Sequence, residues 1–277
     1  MFKKKFLALG ADPEVFFIKP DGTGQSVEGL LPGTKEFPSP MVGLNTGFNI
    51  QVDNVAAEFN IPPAQTREQW DRNLMLGLKY CATQARRHKC RLGLVDVMTF
   101  PKAQLETEHA QTLGCEPDFN IWEGEMNPRP QPPEGWRTAA AHVHISWTEP
   151  DEPSAFIVGR MADLYLGVPS LLVTQPSKRR ELYGKSGAWR FKPYGGEYRA
   201  LPNWWIGTKE NRLAVWDHVQ QGFARLHKEQ DHLIEMMEEF KPEIQQAINT
   251  HNLDSALMLI EKFDLPTFPR KEHRATL

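Results

Sequence analysis

Residues Gly10-Ala11-Asp12-Pro13-Glu14-Val15-Phe16-Phe17 constrain this chain more than any other stretch. Val15, Phe16, Phe17 and Ile18 favour a β-strand, and Asp12 and Glu14 stand two positions apart just ahead of them. A strand repeats its side-chain direction every second residue, so the two carboxylates share one face. Like charges side by side on one face repel unless a cation lies between them. The stretch is therefore either a solvated strand end beside the Pro20-Asp21-Gly22-Thr23 turn, or one wall of a cation site. Later stretches decide between the two.

The 277 residues suffice for one large domain, or for one domain with an appended helical part. Hydrophobic and charged fractions of 40% and 24% are those of an ordinary globular protein, and a net charge of −3 gives no reason to expect nucleic acid or an anionic membrane as partner. No run approaches the roughly 18 apolar residues of a spanning helix. The basic start, Met1 to Lys5, is followed only by Phe6-Leu7-Ala8-Leu9 before Asp12, too little for a signal-peptide core, so a cytoplasmic protein is expected. Cys81, Cys90 and Cys115 are widely spaced with no CxxC, and read as reduced thiols.

Residues 5 to 19 read as a strand that turns at Pro20-Asp21-Gly22 and returns as a hairpin arm, and residues 26 to 45 as a loop. Strand-like runs Phe48 to Val52 and Val55 to Ile61 flank a turn-like Asp53-Asn54, and Pro62-Pro63 ends the second. Thr66 with Gln69 signals a helix start, and the helix runs to about His88 with Trp70, Leu74, Leu78, Cys81 and Ala82 on its buried side. Gly93 to Met98 is the next strand; residues 114 to 136 are irregular, which in a compact domain usually marks a functional or mobile loop. A strand from Ala139 to Trp147, a helix from Ser154 to Thr174, and basic, glycine-rich segments around another strand in 177 to 208 follow. Residues 211 to 263 are helical, broken at Lys241-Pro242 into two or three helices, and 265 to 277 form a tail that drapes or frays. Strands and helices mix without β-α alternation, which implies an α+β fold with an antiparallel sheet.

Three later stretches carry chemistry. In Asp53 to Asn60, strand alternation puts Glu58 and Asn60 on the face opposite Ala57, Phe59 and Ile61; alone, Glu58 is equally a surface residue. In Ala141 to Trp147, His142, His144 and Ser146 share one face and Val143, Ile145 and Trp147 the other, so the polar face is either an ordinary solvated one or a pair of imidazole ligands with a hydroxyl beyond. Tyr183 to Arg190 leads into Gly195-Gly196-Glu197-Tyr198-Arg199, where glycines allow close backbone approach and Lys185, Arg190 and Arg199 suit phosphate. Gly184-Lys185-Ser186 is not a P-loop, since no GxxxxGK[ST] precedes it. Glu197 and Arg199 share a face, as a structural ion pair or as a cation ligand beside an anion ligand; the latter suits Mg-nucleotide binding.

Taken in order, these elements resemble the catalytic domain of glutamine synthetase and its carboxylate–amine ligase relatives, most closely the bacteriophage carboxylate–amine ligase type 2 family. Gly10 to Phe17 is similar to that family's Gly-x-Glu-Pro-Glu-Phe-Phe strand, which makes Asp12 and Glu14 metal-binding carboxylates. His142-Val143-His144-Ile145-Ser146 is similar to its His-x-His-x-Ser strand, in which the first histidine binds metal and the second histidine and the serine face the nucleotide. Lys185 to Arg190 resembles its Arg-x-x-x-x-Arg phosphate segment, and Glu197-Tyr198-Arg199 its Glu-x-Arg strand, with glutamate on metal and arginine on the transferring phosphate. Glu58 resembles a third-strand metal glutamate. Asp12 stands where the family has glutamate and Lys185 where it has arginine, and only Asp53 and Gln51 offer a second ligand near Glu58. Glutamine synthetase's amino-terminal domain, which completes neighbouring sites in its ring, has no visible counterpart, so neither its substrate nor its oligomer carries over.

The resemblance implies a glutamine synthetase/guanidino kinase-like fold: a curved antiparallel sheet flanked by helices, with residues 1–208 as catalytic core, 209–264 as C-terminal helices packed on it and 265–277 as tail. It implies ATP and two Mg²⁺ or Mn²⁺ ions, held by Asp12, Glu14, Glu58, His142 and Glu197. His144 and Ser146 would meet the nucleotide; Lys185, Arg190 and Arg199 the phosphates. The activity implied is amide formation through an acyl phosphate, joining a carboxylate to an amine on small molecules or on a macromolecule, in a monomer or a homo-oligomer, in the host cytoplasm if the chain is phage-encoded. Asp118, with Glu123 and Glu125, lies in the irregular segment and could receive or deprotonate the amine. The alternatives are a phosphotransferase of the guanidino kinase type and a non-catalytic scaffold.

Overall fold

The computed structural model describes residues 2–107, 110, 117–128, 131 and 133–269. Its strands are β1 (Phe6–Ile18), β2 (Gly24–Gln25), β3 (Ser39–Pro40), β4 (Asn49–Asp53), β5 (Ala56–Asn60), β6 (Arg91–Gly93), β7 (Val97–Thr99), β8 (Phe119–Asn120), β9 (Glu125–Met126), β10 (Trp136–Thr138), β11 (Ala141–Trp147), β12 (Ala188–Lys192) and β13 (Gly195–Tyr198). The helices are α1 (Arg67–Arg87), α2 (Glu152–Ala162), α3 (Lys209–Glu239), α4 (Lys241–Thr250) and α5 (Leu253–Phe263). The expected α+β class is what the chain adopts.

One antiparallel sheet runs β3-β4-β5-β1-β11-β13-β12-β8-β9, with β2 and β6 also paired to β1. Side-chain alternation divides its faces cleanly. Leu9, Ala11, Val15 and Phe17 of β1, Ala57 and Phe59 of β5, Val143, Ile145 and Trp147 of β11 and Tyr198 of β13 join one continuous apolar core with α1, α2 and the C-terminal helices. Each fully buried large side chain there contributes on the order of 1.5–3 kcal/mol. The opposite face carries Asp12, Glu14, Glu58, His142, His144 and Glu197. The polar face therefore exists because the apolar face has a core to fill.

Thr66 caps α1 by accepting from Gln69 N at 3.2 Å, but the Gln69 side chain bonds Gln65 N rather than closing the box on Thr66. α1 docks on α3 through Trp70 Nε1, which donates to the Arg212 carbonyl at 2.7 Å. Lys241-Pro242 separates α3 from α4 as expected, giving three terminal helices with α5, all contributing to the core the sheet uses. Leu265 and Phe268 are buried, so the described start of the tail drapes; the rest of it, like Cys115, lies outside the described residues.

Several local expectations are corrected. The strand expected over 93–98 is split: β6 pairs with β1, whereas β7 pairs with β10 in a separate two-stranded sheet. The helix expected from Ser154 to Thr174 starts at Glu152 and gives way to a π-helical segment, Asp163–Gly167. The 177–208 region holds two strands, β12 and β13, not one. Ala82 is only half-buried, and part of the irregular 114–136 region forms the β8–β9 hairpin at the sheet edge.

Candidate active site

Register brings the polar residues together. Asp12 lies opposite His142 across β1–β11, Glu14 opposite Glu58 across β1–β5, and His144 opposite Glu197 across β11–β13; Glu197 in turn faces Arg190 on β12. The first three pairs join strands distant in sequence, whereas β12 and β13 are consecutive strands joined by a short turn.

At the centre, His142 Nδ1 is 3.2 Å from Asp12 Oδ1 and 3.3 Å from Glu197 Oε1, and His144 Nε2 is 3.1 Å from Asp12 Oδ2. Asp12, His144 and Glu197 each offer a ligand atom within 4.8 Å of the others. Cations line one side: Lys192 Nζ is 2.9 Å and Arg190 Nη1 3.3 Å from Glu197, and Arg199 bridges Glu197 and Asp118, the latter at 2.5 Å through Nε. Burial and the Asp12 charge push the Glu197 carboxyl up, but Arg199 and the two imidazoles outweigh them and hold it at about 2. Burial likewise works against ionised Asp12, yet His144 and His142 keep it well below the usual carboxylate range.

A second acidic group adjoins the first. Glu14 accepts from Ala140 N at 2.8 Å and Glu58 from Gln51 Nε2 at 2.8 Å, with buried Asp53 close by. Burial, reinforced by Asp53, pushes Glu14 up to about 8. Burial, then Asp12, Asp53 and Glu14, push Glu58 well above its ordinary value. Carboxyls stacked this way are relieved by a divalent cation. His142 Nε2 is moreover buried without a hydrogen-bond partner among the described residues. Oxygen donors with imidazole suit Mg²⁺ or Mn²⁺, so the residues present fit such ions.

Not every expected residue joins this cluster. Ser146 is half-buried further along the β11 face, beside Gly195. Lys185 is exposed, and with Asp118, Asn127, Tyr183 and Gly184 lines a cavity of about 130 Å³. Of the three acids in the irregular segment, Asp118 alone reaches the cluster; Glu123 is paired with Lys241 at 3.0 Å, and Glu125 is exposed. Two glycines expected to admit a ligand instead admit protein. A Cβ on Gly196 would lie 1.8 Å from the Trp189 ring, and one on Gly187 2.6 Å from Asn120 Oδ1. Ser186 is likewise structural: its hydroxyl donates at 2.6 Å to buried Asp163, which also accepts from Gly187 N, Trp122 Nε1 and Tyr198 OH, each at 2.7 Å.

Sequence reasoning missed Lys192 and Tyr194. Lys192 is two residues beyond Arg190 and so shares its face, a signal that strand alternation contained. Tyr194 OH lies 2.7 Å from His144 Nδ1 and the rings stack at 6.1 Å, a contact made by the β12–β13 turn that no local pattern announces.

Residues 130–262 match the model of the family described as Phage phiEco32-like COOH.NH2 ligase-type 2. The family resemblance drawn from the sequence is thus borne out on the segment that carries His142, His144, Glu197 and Arg199. Comparison with curated proteins gives no match. Among solved structures, a bifunctional glutathione synthetase from Pasteurella multocida aligns with TM-score 0.43 and 11% identity over 93% of this chain and 49% of that one. A GmaS/ADP complex aligns with TM-score 0.43 and 14% identity over 93% of this chain and 64% of that one. The chain spans about half the length of the first protein and less than two thirds of the second.

Proposed function

We propose, from the family match over residues 130–262, that this protein is an ATP-dependent carboxylate–amine ligase. The observation that carries the reading is the meeting, on one sheet face, of a cation-seeking acid–imidazole cluster with Arg190, Lys192 and Arg199. Asp12, Glu14, Glu58, His142 and Glu197 would hold two Mg²⁺ or Mn²⁺ ions; bound there, such ions supply charge neutralisation for phosphoryl transfer.

The chain's own groups do the rest. Arg199, Arg190 and Lys192, with Lys185 from the loop, bind phosphate oxygens and hold the γ-phosphoryl group in line with the acid. His144, oriented by Tyr194, and Ser146 meet the nucleotide. A carboxylate oxygen of the acid attacks the γ-phosphorus and ADP leaves, giving an acyl phosphate. The amine then attacks the acyl carbon and phosphate departs, leaving an amide. Asp118, fixed by Arg199 at the edge of the small cavity, takes the proton the amine loses. Residues 1–208 form the catalytic core in this reading, and 209–264 brace its apolar face.

The test is calorimetric titration of ATP with Mg²⁺ or Mn²⁺ into wild type, Glu14→Ala and Glu197→Ala. Metal-dependent binding that is lost in both variants supports a shared site, and hydroxylamine trapping of an activated acid then reports the acyl phosphate. A phosphorylated product that never yields amide would favour a phosphotransferase instead. Absence of nucleotide binding with either metal would sink both enzymatic readings.

A further inference from the structure

Lys185 lines a second cavity as well, one outside the acid cluster. It has a volume of about 370 Å³ and lies between the 3₁₀ turn Lys178–Glu181 and the C-terminal end of α4. Arg180, Lys185, Asn249, Thr250 and His251 line it, with Ser177 and exposed Glu181.

Arg180 is what makes this cavity unusual. It is only 4% exposed, and its Nε has no hydrogen-bond partner. Its Nη1 reaches only His251 Nδ1, at a long 3.4 Å. No carboxylate stands in ion-pair contact with it among the described residues; Asp96 and Asp163 act on it only from further off. A guanidinium keeps its charge, and burying it without a counter-ion is costly. Burial accordingly drags its pKa down to about 10. Neighbouring Arg179 and Arg199 differ: the first donates to the Arg199 carbonyl at 3.1 Å, and the second is paired with Glu197 and Asp118.

The other lining groups complement an anion. Lys185 makes no ion pair among the described residues, and Glu181 pairs with neither cation. Asn249 accepts from Ser186 N at 2.8 Å through Oδ1, which leaves its amide N–H groups as donors. His251 can gain a proton when an anion arrives.

We propose that this cavity is a binding site for a doubly charged oxyanion of the phosphate type, held by Arg180 and Lys185 with the Asn249 amide as neutral donor. Two cations match a dianion, and the cavity is many times the roughly 30 Å³ that a water occupies in the liquid, leaving room for a phosphate on a small carrier. The site is separate from the acid cluster and does not rest on the ligase reading. Because Lys185 also borders the cavity beside Asp118, an occupant would set where that ammonium points.

The experiment is an NMR titration of the metal-free full chain, labelled at histidine, with inorganic phosphate at neutral pH and chloride at matched ionic strength as control. A saturable shift of the His251 ring signals is expected with phosphate and not with chloride. Arg180→Gln should weaken it at least tenfold. Thr250→Glu, an exposed change that puts a carboxylate into the cavity without touching the buried arginine, should do the same while leaving thermal stability as in wild type. It keeps the test valid should Arg180→Gln fail to fold. A His251 signal that ignores phosphate, that follows chloride equally, or that responds unchanged in Thr250→Glu overturns the proposal, whatever becomes of the ATP experiment.

Discussion

Glu197→Gln is a substitution whose cost can be worked from the structure. Glu197 is 0% exposed, and its carboxylate meets Arg199, Lys192 at 2.9 Å and Arg190 at 3.3 Å. The folded protein holds it at about 2 against an ordinary 4.5. At about 1.4 kcal/mol per pH unit, that difference amounts to about 3 kcal/mol of stability. Pair energetics give the same scale, since removing one member of a buried ion pair costs roughly 3–5 kcal/mol. Most of it comes from Arg199, because the Arg190 side chain is 35% exposed and screened by water. The folded value lies below the unfolded one, so the contribution is complete above pH 4.5 and is lost as pH falls through about 2. Urea denaturation of metal-free protein in chelator, from neutral pH down to pH 3, reads it directly. Wild type should exceed Glu197→Gln by about 3 kcal/mol at neutral pH, with the gap narrowing steadily below pH 4.5. A gap under about 1 kcal/mol at neutral pH, or one that does not narrow in acid, would refute the reasoning.

Two further outcomes concern the scaffold. Gly196→Ala places a Cβ 1.8 Å from the Trp189 ring, and overpacking of this kind costs roughly 1–3 kcal/mol or more; a melting temperature equal to wild type would contradict it. His218 is buried with Nδ1 2.9 Å from the Tyr165 carbonyl and its ring 4.5 Å from Phe268, and burial lowers it from 6.5 to about 4. Its contribution, up to about 3 kcal/mol, is complete above pH 6.5 and lost as pH falls through about 4. His218→Gln should therefore flatten the stability profile across that window, and an unchanged slope would count against the assignment.

Membrane insertion through a helix finds no support, since no described helix is long and apolar enough to cross a bilayer. Cys81 and Cys90 are free thiols, as their spacing suggested, and both are buried. Those readings needed only local properties of the chain.

The face of each functional side chain was equally legible. Asp12 with Glu14, His142 with His144, and Glu197 with Arg199 follow from a period of two, and the intervening Val15, Val143, Ile145, Trp147 and Tyr198 show which side must be buried. Alternation is a property of a single strand and needs no partner to be read. The same rule puts Lys192 on the face of Arg190, two positions before it, but says nothing of what Gly187 and Gly196 admit. Those glycines proved to be packing positions, which only the neighbouring Trp189 and Asn120 reveal.

By itself, then, the sequence determined the α+β class, the helix break at Lys241-Pro242 and the residue types of the polar face. The tertiary structure alone decided register: Asp12 opposite His142, His144 opposite Glu197, Glu14 opposite Glu58. It also turned Glu123 away to α4, set Tyr194 against His144 and left the Arg180 Nε buried without a hydrogen-bond partner among the described residues. The physical reason is range. Alternation and capping act over a few residues, whereas register and burial are settled by packing between segments far apart in the chain, where a slip of one residue would exchange the polar face for the apolar one.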